Sequence, residues 1–227
     1  MRLGLGGEFA EQRAWMVEHQ LRRRGIGDER VLEAMGAVPR ERFVPERYRR
    51  RAYADSALPI GEGQTISQPW IVAAICEALE LEGLERVLEI GTGSGYSAAV
   101  LARLAGEVIT IERVEELART ARELIAEMGI ANVEVVVGDG SEGLPERAPF
   151  DSIAVHAAAP APPRQLIDEL ALGGRLVIPI ATDAADMLTV FSRIGESVDP
   201  TTGEGLKREV IGPCRFVPLI GAEGFPE

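Results

Sequence analysis

Three acidic side chains and one run of glycines have the types and spacing to hold a small charged ligand. Gly91, Gly93 and Gly95 lie in the segment VLEIGTGSGYSAAVLARL, residues 87–104. Glycines between a strand and a helix allow a tight turn and let a ligand approach the backbone closely. Glu89 stands just before the first of them. A carboxylate there repels a pyrophosphate and suits a ligand carrying a cationic sulfonium and an α-ammonium. The spacing is G-x-G-x-G, which differs from the dinucleotide pattern G-x-G-x-x-G. Glu112 follows 17 residues beyond Gly95, where an acid accepts hydrogen bonds from ribose hydroxyls. Asp139, inside Gly138-Asp139-Gly140, can accept from an adenine amino group. Each piece has a plainer reading: a tight turn between core elements, a solvated strand-end charge, a Gly-Asp-Gly turn. Their order is far more specific than any one of them.

That order requires a particular scaffold. Residues 86–90, 108–111, 133–137, 152–155 and 175–180 read as strands, with helices at about 96–104, 115–128 and 163–170 between them. The helix at 115–128 is expected to bury Leu117, Ala121, Leu124 and Met128. Residues 187–194 and 209–217 read as a closing antiparallel pair. Such alternation predicts an open, mostly parallel sheet covered on both faces, with ligands beyond the carboxyl ends of its strands. Upstream, residues 1–10 read as frayed, 11–24 as a helix, and Asp28 as the cap of a second helix carrying Val31, Leu32 and Met35. Residues 40–51 form a charged run, read as a solvated face. Residues 53–68 have no helical period and read as one long functional loop, followed by a helix from about Gln68 with Pro69 in its first turn.

Composition narrows the class. The 227 residues suit one α/β domain, with 46% hydrophobic and 26% charged residues. A net charge of -12 opposes non-specific binding to nucleic acid. Cys76 and Cys214 read as two buried reduced thiols. No signal peptide or bilayer-spanning run is recognisable, so a soluble, cytoplasmic protein without membrane or nucleic-acid partners is expected. No metal site is expected, and a monomer is.

The glycine loop and its acids resemble a class I S-adenosylmethionine-dependent methyltransferase: Rossmann-like, doubly wound, mostly parallel, with a C-terminal antiparallel pair. A further stretch is narrower. Asp55-Ser-Ala-Leu-Pro-Ile-Gly61 followed by Gly63-Gln-Thr-Ile-Ser-Gln-Pro69 is similar to the signature of the protein-L-isoaspartate O-methyltransferase family. The similarity runs from Val38-Pro-Arg-Glu-Arg-Phe-Val44 through Phe150-Asp151 to Arg215-Phe-Val-Pro-Leu219, covering about residues 12 to 220. It implies one methyltransferase domain over 1–227, with about 11–68 contributing to the active site and about 69–180 forming the cofactor core. It implies S-adenosyl-L-methionine as cofactor, and isoaspartyl-containing proteins and peptides as substrates.

By the same resemblance Ser67 is the catalytic residue, between cofactor and substrate carboxylate. Its position also suits a helix cap or an anion site. Cofactor contacts are implied for Glu89, Gly91, Thr92, Gly93, Ser94, Gly95, Glu112, Arg113, Asp139 and Gly140. Substrate contacts are implied for Asp55, Leu58, Pro59, Ile60, Thr65, Ile66, Val217, Pro218 and Leu219, with the substrate backbone lying as an added strand. The family usually carries Thr-Ala-Ala-Pro after the fourth strand, whereas this chain reads His156-Ala-Ala-Ala159-Pro160. His156 reads as a local structural histidine, since methylating an ionised carboxylate needs no base. Three alternatives stay open: the same fold acting on another carboxylate or small molecule, a non-catalytic cofactor-binding protein, and a dinucleotide oxidoreductase.

Overall fold

A computed structural model describes residues 5–226. Seven strands form one sheet in the order β5-β4-β3-β6-β7-β8-β9. They are β3 (Arg86–Ile90), β4 (Glu107–Glu112), β5 (Val133–Val137), β6 (Phe150–Val155), β7 (Leu170–Ile180), β8 (Asp186–Arg193) and β9 (Leu206–Cys214). The pairs from β5 across to β7 are parallel, and β8 and β9 pair antiparallel. Strand order reverses between β3 and β6, which leaves a crevice at their carboxyl ends. Both faces of the inner strands are covered. Val87, Leu88 and Ile90 of β3 and Ile153, Ala154 and Val155 of β6 are all buried, hence their largely apolar sequences, broken in β3 by Glu89.

Helix α4 (Tyr96–Leu101) is short and buried at every position. Gly95 starts it at φ 85, and a Cβ there would lie 3.3 Å from both Ala121 and Ile125 of α5 (Glu115–Glu127). The buried row of α5 is Leu117, Ala118, Ala121 and Ile125. Leu124 and Met128, expected inside, are only half-buried; the core-facing stripe is rotated toward the close approach at Gly95.

Other expectations near the amino end change too. Helix α1 (Leu5–Met16) already includes residues 5–10, which had read as frayed, because Phe9 packs against the core. Residues 1–4 lie outside the described residues. Asp28 caps α2 (Glu29–Ala37) as expected, accepting from the N–H groups of Arg30 (2.8 Å) and Val31 (3.4 Å). Residues 53–68 are more than a loop. They contain a hairpin, β1 (Leu58–Gly61) and β2 (Gln64–Ile66), turning through Gly61, Glu62 and Gly63, all at positive φ. Helix α3 (Pro69–Ala78) follows, flanked by Gln68. Of the two free thiols Cys76 is buried, but Cys214 on the edge strand is half-buried. No helix among the described residues is long and apolar enough to cross a membrane.

Candidate active site

The loop after β3 is held by the next strand. The N–H of Gly91 donates to the carbonyl of Ile111 (2.8 Å), and that of Gly95 to the carbonyl of Thr92 (2.8 Å). Gly91, Gly93 and Gly95 adopt φ of 92°, 53° and 85°, values that β-carbons oppose. Glu112, at the end of β4 and 6% exposed, braces this turn. It accepts from the N–H of Gly93 (2.8 Å) and of Val114 (2.9 Å). A carboxylate has about four acceptor positions, so Glu112 keeps capacity for a ligand.

Beneath the loop runs a buried hydroxyl chain. Thr110 donates to Glu89 Oε2 (2.6 Å), and therefore accepts from Thr92 (2.6 Å). Glu89 has no exposure, and its Oε1 has no hydrogen bond among the described residues. His156 Nε2 lies 3.3 Å from that oxygen and 2.8 Å from Ser97 Oγ.

A cavity opens above these residues, lined by Ser67, Gly91 to Ser94, Glu112, Arg113, Gly140 and His156. Thr65, Ile66 and the segment from Val217 to Leu219 close it from the other side. An outer groove, reached past Trp70 and Phe216, shares Thr65, Ser67, His156 and Val217 with the cavity. These four residues are the junction between the two spaces.

Several residues expected at the site stand elsewhere. Glu89 is sealed under the loop, and Gly95 faces α5. Asp139 lines a neighbouring depression with Gly138, Glu142 and Gln165. Asp55 is at the surface, bonded to Arg24 (2.7 Å) and Gln68 (2.6 Å). Leu58 is buried in the core and Pro59 is exposed. Ile60 reaches over the glycine loop, 3.3 Å from where a Gly93 Cβ would lie.

Asp139 is engaged by the carboxyl-terminal segment, which the sequence leaves without a role. It accepts from Ser141 N–H (2.9 Å), Ser141 Oγ (2.8 Å) and Ala222 N–H (2.8 Å), while Glu223 N–H donates to Ser141 Oγ (3.0 Å). Burial works against its charge, but the Ala222 and Ser141 bonds prevail and hold the carboxyl below its usual range. Gly140 is fixed by packing: a Cβ there would come within 2.4 Å of Ile90.

Ser67 precedes α3 by two residues, and its hydroxyl makes no hydrogen bond among the described residues, so it does not cap the helix. Its carbonyl accepts from Arg40 Nη2 (2.7 Å). Arg40 corrects the reading of the charges in residues 40–51 as a solvated face, for it is completely buried. Its Nε donates to Ala52 O (2.7 Å) and its guanidinium lies 4.8 Å from the Tyr96 ring centroid. Burial lowers its pKa to about 10. An arginine in a charged run gives no sequence signal for this; His156 at least departs from the expected motif.

Comparisons agree with this architecture. A family profile described as protein-L-isoaspartate(D-aspartate) O-methyltransferase matches residues 11–224. A protein-L-isoaspartate O-methyltransferase 1 of Rhodopseudomonas palustris is 54% identical over 96% of this chain and 86% of its own. A protein-L-isoaspartate O-methyltransferase of Methanoculleus marisnigri is 52% identical over 94% of each chain. Among solved structures, a putative enzyme of that kind from Plasmodium falciparum, in complex with S-adenosyl-L-homocysteine, superposes with a TM-score of 0.76 at 27% identity, covering 92% of this chain and 98% of that one.

Proposed function

The chain belongs to the protein-L-isoaspartate(D-aspartate) O-methyltransferase family, and from that premise we infer that its cleft joins a cofactor to a damaged protein. It is an α/β methyltransferase that uses S-adenosyl-L-methionine and acts in protein repair, methylating L-isoaspartyl residues. The acceptor is the free α-carboxylate that such a residue displays.

The donor set fits the cofactor. Glu112 has acceptor capacity left for ribose hydroxyls, and the glycine turn exposes backbone at the cavity wall. When bound, the cofactor supplies a methyl group activated by a cationic sulfur. The chain's own work is alignment and exclusion of water. A carboxylate is already ionised at neutral pH, so no base is required. Ser67 carries the reading: its hydroxyl is uncommitted and stands where cavity and groove meet. It orients the substrate carboxylate by donating a hydrogen bond. Thr65, Ile66 and Val217 to Leu219 flank the approach. The backbone of 217–219 is already paired inward, since Ala158 N–H donates to Val217 O (2.8 Å) and Leu219 N–H to Ala158 O (2.7 Å). A substrate strand would add on its outer side.

The reading extends to a single methyltransferase domain acting as a cytoplasmic monomer without a nucleic-acid partner; the charge of -12 supports the last point. Transfer of labelled methyl to a short isoaspartyl peptide, beside its aspartyl twin, tests the activity. Base-labile label on the isoaspartyl peptide alone is expected. Equal labelling of both would remove the repair specificity.

A further inference from the structure

Resting on that reading, we propose that His156 receives the α-ammonium of the cofactor at its Nδ1, and that Glu89 acts on the ammonium only through this ring. Charge logic alone would bring Glu89 to the ammonium. Yet Glu89 has no exposure and forms no part of the cavity wall, whereas His156 does.

The ring's orientation fixes its proton. Nε2 faces Ser97 Oγ at 2.8 Å and Glu89 Oε1 at 3.3 Å, and this oxygen has no hydrogen bond among the described residues. A lone pair on Nε2 would point toward a buried carboxylate, so Nε2 carries the hydrogen. A ring whose one hydrogen sits on Nε2 presents a lone pair at Nδ1. That atom has no hydrogen-bond partner among the described residues and is not sealed from solvent. It belongs to a side chain lying between the cavity and the groove.

Ligand direction agrees. Glu112 braces Gly93, whereas His156 stands at Gly91, where a Cβ would come 3.5 Å from the His156 Cβ. A ribose at Glu112 sends the amino-acid end of the ligand along the loop toward Gly91 and the imidazole. The negative charge of Glu89 polarises the ring from behind, as carboxylates do for metal-bound imidazoles.

The test is calorimetric binding of S-adenosylhomocysteine to the full chain at pH 7.0. The variants are His156→Asn, whose Oδ1 replaces the Nδ1 acceptor, and His156→Ala. His156→Asn should stay within about threefold of the wild type, and His156→Ala should bind about tenfold more weakly. An analogue lacking the α-amino group should bind wild type weakly and lose nothing further in His156→Ala. Wild-type affinity in His156→Ala would overturn the proposal, as would full affinity of the wild type for the deaminated analogue. No binding of S-adenosylhomocysteine by the wild type would overturn the methyltransferase reading itself, and the proposal with it.

Discussion

The wall assigned to the cofactor is set by turns and strand ends of the main sheet, whereas the wall assigned to the substrate includes a hairpin outside that sheet, braced by one buried guanidinium. On the first, Gly91 and Gly93 turn under the hold of Ile111 and Glu112, and Gly140 fits against Ile90 with no room for a methyl. The parallel sheet stands directly behind them. On the second, a two-stranded hairpin and Ser67 lie outside the main sheet. Leu58 and Ile66 pack into the core, and Arg40 grips the carbonyls of Ala52 and Ser67. Burying an unneutralised cation costs several kcal/mol, which the two carbonyls and the Tyr96 ring offset in part; Nη1 has no hydrogen-bond partner among the described residues. The lesson is that generic binding can rest on strand ends, while selective binding is carried by a separable piece with its own anchor.

Three substitutions probe this contrast. Arg40→Ala has the largest expected effect. It strands two buried carbonyls and leaves a void, so urea unfolding should show a loss of about 3 kcal/mol. A loss below about 0.5 kcal/mol would mean that the hairpin supports itself and the contrast is false. Glu112→Ala should come next, weakening cofactor binding about 30-fold by calorimetry, close to 2 kcal/mol. If the dissociation constant does not move, Glu112 merely braces the turn. Smallest is Ser67→Ala, expected to lower kcat about tenfold while leaving cofactor affinity within about twofold. Equal loss of both would move Ser67 to the cofactor wall.

Much of the first wall is legible in the sequence. A glycine turn between a strand and a helix, an acid one strand later and Gly-Asp-Gly after the next fix both the fold class and the site's location, because all depend on short-range periodicity. The second wall resists such reading. The hairpin is hidden because strands of four and three residues are too short to show alternation, and their flanking glycines suggest a loop. Arg40 is hidden because its neighbours Glu41, Arg42 and Arg47 belong to a genuinely charged run. The sealing of Glu89 depends on Thr110 and His156, 21 and 67 positions further on. No local pattern carries that information.

The carboxyl-terminal segment has a consequence for the birth of the molecule. Every other wall of the cofactor cavity exists in the chain once Ala157 has been added, but Val217 to Ile220, and the clasp of Ala222 and Glu223 on Asp139 and Ser141, follow some 60 residues later. Translation at about 5–20 residues per second needs roughly 3–12 seconds for those intervening 60 or so residues. During that interval the emerging polypeptide carries an open-sided crevice with the Asp139 carboxylate unclasped. The cofactor cavity is therefore complete only once residues 217–223 have been made and settle against residues made some 80 positions earlier.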